Sequence, residues 1–87
     1  MKLWTCTMTD CQTGDQILAG IFSDSFKAEE QARVWVEGAT DHRAEVSDRD
    51  YDPTTGEETI YYRAKNGTKY EHYTAYIEIY TLDEMSY

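Results

Sequence analysis

The chain has 87 residues, of which 17 are Asp or Glu and 8 are Lys or Arg, for a net charge of −9, and it carries eight tyrosines. That length allows one domain with one small core and leaves no room for a deep enclosed active site beside it. The charge excludes a direct hold on a nucleic-acid backbone and points to a basic partner surface, the kind that nucleic-acid-binding proteins present.

Hydrophobic residues make up 40% and aromatic residues 14% of the chain, which suits a folded domain over residues 1–87 rather than a disordered one. No apolar run approaches the roughly 18 residues a membrane helix needs. The opening Met1-Lys2-Leu3-Trp4-Thr5-Cys6 turns polar at once, unlike a secretory signal. A cytoplasmic location in a bacterial host is the expectation, with Cys6 and Cys11 as free thiols.

Lys2 to Thr9 is β-branched and aromatic and reads as a strand. Asp10 to Asp15 is a turn around Gly14, and the apolar run Gln16 to Phe22 has the length of a buried strand. Ser23, Asp24 and Ser25 offer helix N-caps. The helix they start is expected to stop at Gly38. Ala28, Ala32, Trp35 and Val36 form its apolar stripe, while Glu29, Glu30, Arg33 and Glu37 face water, with Glu29–Arg33 as an i, i+4 pair.

After a connector, Ala44 to Tyr51 reads as a polar strand. Asp52 to Glu57 is a Pro/Gly turn, and Glu58 to Ala64 is a fourth strand. Asn66-Gly67 is a hairpin signal. With those two as the loop, Lys65 faces Thr68, Arg63 faces Tyr70, Tyr61 faces His72 and Ile60 faces Tyr73. Lys69 to Leu82 is the last strand, and Asp83 to Tyr87 an acidic tail expected to fray.

The fold class is therefore α+β, in the order ββαβββ, with a mainly antiparallel sheet and one helix packed on one face. A ferredoxin-like layout needs a second helix, which the pattern lacks. The hairpin alternation separates two sheet faces. Ile60, Tyr62, Ala64, Tyr73, Ala75, Ile77 and Ile79 should meet the helix. Tyr61, Arg63, Tyr70, His72, Thr74, Tyr76, Glu78 and Tyr80 should lie on a face that no second helix covers.

Catalytic and metal signatures are weak. Cys6, Cys11, His42 and His72 lack the paired short spacings of a zinc site. Cys6 with His72 has no orienting third group for nucleophilic chemistry. Asp48-Arg49-Asp50-Tyr51-Asp52 begins like a calcium loop but has no Gly at the sixth position and Thr59 at the twelfth. Asn66-Gly67-Thr68 fits a glycosylation sequon but is better explained as turn chemistry. No cofactor is implied.

Two surfaces remain. Residues 37–58 hold eight acids against Arg43 and Arg49, −6 of the −9. Asp48, Asp50 and Asp52 alternate, and in a strand would lie about 6.6–7 Å apart on one face, near the phosphate spacing of a nucleic-acid strand. Glu57 and Glu58 add charge, and Tyr51 an aromatic anchor. The alternative is a charged edge strand that resists aggregation. The second surface is the uncovered face, with Tyr61, Tyr70, Tyr76 and Tyr80 as interface anchors and Arg63 and His72 among them. Cross-strand aromatic pairing that only stabilises the sheet is its alternative.

The strand Met1-Lys2-Leu3-Trp4, the run Ile21-Phe22-Ser23-Asp24-Ser25, the Ala28-Glu29-Glu30 helix and the tyrosine-rich last strand ending in acids resemble, in general layout, small phage-encoded inhibitors of bacterial defence systems, among them anti-CRISPR proteins. The resemblance implies a non-enzymatic inhibitor that mimics DNA phosphates on a basic effector surface, and assigns no binding residue. A nucleotide sponge working through the Tyr/Arg63/His72 face, in a homo-oligomer, is a second expectation. A bland adaptor whose acidity serves solubility is a third.

Overall fold

The computed structural model describes residues 2–81. The acidic tail expected at residues 83–87 lies outside them. The elements run β1 (Lys2–Asp10), β2 (Gln16–Phe22), α1 (Ser25–Thr40), β3 (Ala44–Tyr51), β4 (Glu58–Asn66) and β5 (Lys69–Thr81). All five strands form one antiparallel sheet in the order β2-β1-β5-β4-β3. The helix lies across one face, so the chain is an α+β fold in the order ββαβββ.

The core is a layer of small helix residues against larger sheet residues. Ala28, Ala32 and Val36 are sealed against Cys6, Met8, Ile60, Tyr62, Ala75 and Ile77. Three short side chains at i, i+4 and i+8 let the helix approach the sheet closely, and Met8, Ile60 and Ile77 fill the gap. Trp35 closes one flank, half buried, with its ring edge-on to Tyr73 at 6.0 Å.

The helix is longer than its glycine suggests. Asp24 caps the start, its carboxylate accepting the Lys27 N–H at 2.8 Å. The chain stays helical through Gly38 to Thr40 and stops at Asp41, whose φ of 57° is left-handed. Thr40 extends the buried stripe by one more turn, fully sealed, with its hydroxyl donating to the Val36 carbonyl at 2.7 Å. Burying Thr40 outweighs the preference for glycine at the stop, and aspartate tolerates the left-handed cap.

The helix charges also pair differently from the expected Glu29–Arg33. Arg33 bonds forward to Glu37 at 2.7 Å, and Glu29 turns to Arg49 of β3 at 2.8 Å. Arg49 also reaches Glu58 of β4 at 3.2 Å, so one guanidinium ties the helix to the far strands.

The β4–β5 register differs from the expected one by one pair. Asn66 faces Lys69, Arg63 faces His72, Tyr61 faces Thr74 and Ile60 faces Ala75, and the loop is Gly67-Thr68. Gly67 has a φ of 68° while Asn66 and Thr68 keep negative φ, the pattern of a turn with glycine at its first central position. Because the slip moves each partner by two residues, no side chain changes face. Tyr62, Ala64 and Tyr73 are accordingly buried beneath the helix, and Tyr61, Arg63, Tyr70, His72, Tyr76 and Tyr80 are exposed.

The run Gln16 to Phe22, expected to be a buried strand, is instead the sheet edge. Ile17, Leu18 and Ile21 are 47%, 58% and 58% exposed. A short charge-free run reads the same for a buried strand as for an apolar edge, and only the strand order separates them. A bulge shifts the register there, with Cys6 facing Gly20 and Thr7 facing Leu18. The Phe22 ring folds over Gly20, within 2.5 Å of where a Cβ would stand, so a larger residue there would have to push that ring aside.

Candidate functional site

The uncovered face can be read off row by row from the strand registers. One row runs Asp50, Thr59, Tyr76, Thr7 and Leu18 from the β3 edge to the β2 edge. The next runs Asp48, Tyr61, Thr74, Thr9 and Gln16. A third holds Glu45, Arg63 and His72. The face therefore grades from carboxylates at β3, through tyrosines, to a threonine ladder on β1 and apolar side chains on β2.

A bulge puts Asp48 and Asp50 on this face. The β3 register shifts between Val46 and Asp48, leaving Ser47 as the extra residue, with its hydroxyl on the Tyr61 carbonyl at 3.2 Å. After the bulge, Asp48 and Asp50 point to the open face, and Arg49 and Tyr51 point to the helix side. Asp52 lies past the end of β3, where its carboxylate accepts the Thr54 N–H at 2.9 Å and braces the 52–57 turn.

The expected acidic strip is therefore divided. Asp48, Asp50 and Glu57 belong to the open face, and Glu57 accepts the Tyr76 hydroxyl at 3.2 Å. Glu78, not singled out as a charge from sequence, joins them by accepting the Tyr80 hydroxyl at 3.2 Å. Glu58 and Tyr51 lie on the other face, beside Trp4, Ile77 and Ile79. The Glu58 side chain is only 17% exposed and held by Arg49, so it offers no free charge to a partner. Burial, reinforced by the neighbouring Glu29 carboxylate, pushes Glu58 above the usual carboxylate range even with Arg49 beside it.

The carboxylates register on the tyrosines. Partial burial, and then the charge of Glu57, raises Tyr76 above the ordinary tyrosine value. The charge of Glu78 raises Tyr80. Both hydroxyls stay protonated, and both can donate to an acceptor or lie flat against a partner.

The middle of the face is a shallow groove of about 540 Å³ lined by Asp48, Asp50, Tyr61, His72, Thr74 and Cys11, among others. The β1–β2 turn clamps over one end of it. The Cys11 N–H donates to the His72 carbonyl at 3.0 Å, and Gln12 bonds both the N–H and the carbonyl of His72.

Arg63 and Tyr70 form a separate cluster toward the β4–β5 hairpin. Arg63 donates from Nε to Glu45 at 2.7 Å and lies over the Tyr70 ring at 5.3 Å. A guanidinium already held by a carboxylate and a ring is poorly disposed to take a phosphate, and Asp48 and Asp50 repel one from the adjoining groove. The twelve expected partner residues therefore fall into three places. Asp48, Asp50, Glu57, Tyr61, His72, Tyr76 and Tyr80 share the open face. Arg63 and Tyr70 sit at its hairpin end. Tyr51, Asp52 and Glu58 lie off it.

The residues considered for catalysis do not meet. Cys6 is fully buried on the helix side, and burial pushes its thiol up to about 11. His72 lies on the opposite face. Cys11 is exposed and free, 3.2 Å from the Thr74 hydroxyl, and His42 sits at the helix end near Glu37. Among the described residues, no three metal-ligating side chains converge.

No protein-family model, curated protein or solved structure matches the chain.

Proposed function

We propose that the protein is a non-enzymatic inhibitor that docks its open sheet face onto a basic, nucleic-acid-binding surface of a bacterial defence complex, in the manner of anti-CRISPR proteins that mimic DNA. The observation that carries this reading is the gathering of Asp48, Asp50, Glu57 and Glu78 beside the exposed tyrosines 61, 76 and 80 on a face that no element among the described residues covers. Carboxylates at strand spacing fill sites built for phosphates, and tyrosines supply flat anchors that cost little entropy on burial. Complementary charge also speeds encounter with a basic surface. Blocking is then competition with the phosphates of the nucleic acid.

The test is capture from bacterial lysate on immobilised protein, identified by mass spectrometry and repeated with Asp48→Lys/Asp50→Lys. The expected result is a nucleic-acid-binding protein that duplex DNA displaces and that the double variant fails to retain. A captured partner indifferent to both DNA and charge reversal removes the reading.

A further inference from the structure

The two edges of the sheet are built differently. Over its eight residues β3 carries Glu45, Asp48, Arg49 and Asp50, together with a bulge, the usual protection of an exposed edge. β2, the sequence Gln16-Ile17-Leu18-Ala19-Gly20-Ile21-Phe22, carries no charge. Its Ile17, Leu18 and Ile21 are each about half exposed, and the adjoining helix adds Phe26 at 69% and Val34 at 49%. Five of the chain's exposed large hydrophobic residues thus lie along one edge, on a molecule of net charge −9.

We propose that this edge is the interface of a homodimer, in which β2 of one copy pairs antiparallel with β2 of a second copy about a twofold axis. A basic partner finds no carboxylates to meet on this strand. Two acidic copies find here the stretch where they approach with least repulsion. The rim is self-complementary. Phe22, Phe26 and Val34 line a groove of about 420 Å³ that also holds Lys27 and Glu30, neither of which has an ion-pair partner among the described residues. With the twofold axis beside the 27–30 turn of the helix, Lys27 of each copy would meet Glu30 of the other.

The bulge at Ala19 divides β2 into short arms, so main-chain pairing across the axis is brief and the apolar side chains supply much of the contact. Antiparallel pairing about an axis normal to the sheet keeps both helices on one side and both open faces on the other. The dimer therefore presents one doubled face with the β3 acids at its two outer edges. It stands independently of what that face binds.

The experiment is sedimentation velocity from low micromolar to near-millimolar concentration. Wild type should pass from monomer to dimer, and Leu18→Lys/Ile21→Lys should stay monomeric with unchanged circular dichroism. Val46→Lys, on the other edge, should dimerise as wild type does. Lys27→Glu and Glu30→Lys should each weaken the dimer about tenfold by placing like charges at both rim contacts. An equimolar mixture of those two variants should recover it as a heterodimer, a result that a general loss of stability does not produce. Wild type that is monomeric throughout, or a dimer that survives Leu18→Lys/Ile21→Lys, overturns the proposal, as does a mixture that recovers nothing.

Discussion

The covered and open faces of this sheet come from the same strands, one residue apart, and are built to opposite rules. Under the helix, Ile60, Tyr62, Ala75 and Ile77 are sealed against three small helix residues. On the other side Tyr61, Thr74 and Tyr76 stand at least partly in solvent, with carboxylates beside two of the three. The covered face holds the fold together by exclusion of water. The open face contributes little to that and concentrates groups suited to a partner. In so small a protein the two tasks are kept apart by strand alternation alone.

The largest expected effect breaks the comparison directly. Ile60→Ala should cost about 3 kcal/mol of stability by opening a cavity under the helix, whereas Tyr61→Ala, its neighbour, should cost less than about 1 kcal/mol. Urea denaturation measures both, and equal costs refute the division of labour. Thiol reactivity comes next. Cys11 is exposed, whereas Cys6 is buried and pushed up to about 11, so a disulfide reagent should modify Cys11 at least about a hundredfold faster. One reactive thiol per native chain and two per denatured chain is the expected count.

A smaller effect concerns acid. The folded-state value of Glu58 stands above its unfolded 4.5. Between those values the folded chain binds more protons than the unfolded one, so this residue's contribution to stability is lost as pH rises through the window. Glu58→Gln should remove that loss, flattening the stability profile above pH 4.5 by much less than the cost of Ile60→Ala. The smallest effect lies on the open face. Glu57→Gln and Glu78→Gln should bring the ionisation midpoints of Tyr76 and Tyr80 down toward the ordinary tyrosine value, so that each ionises at lower pH, read by ultraviolet titration.

Strand alternation carried much of this into the sequence. Tyr62 and Tyr73 are separable from Tyr61 and Tyr76 by parity alone, and parity survived the one-pair error in the hairpin register. Local features fared less well where tertiary packing decided them. Gly38 is a good helix stop, but sealing Thr40 was worth another turn. Arg49 lies in the middle of an acidic run, and only the fold shows it on the helix side of the sheet, between Glu29 and Glu58. The bulge at Ser47, which sends Asp48 and Asp50 to the open face and Glu58's partner Arg49 to the other, has no local sequence signal. The acidic strip was therefore visible as composition but not as a surface. Glu78 entered it only through its bond from Tyr80, although its place on the aromatic face follows from alternation.

The central claim is that the position of the charge matters, not its total. The affinity of the captured partner should be compared for two variants of equal net charge, Asp48→Lys/Asp50→Lys on the open face and Glu37→Lys/Glu71→Lys on the helix side, where Glu37 stands on α1 and Glu71 pairs with Ala64. The account predicts that the first loses at least about a hundredfold and the second less than about fivefold, once both are folded. Equal losses would show that the partner senses net charge alone, and would contradict a docking face on the open side of the sheet.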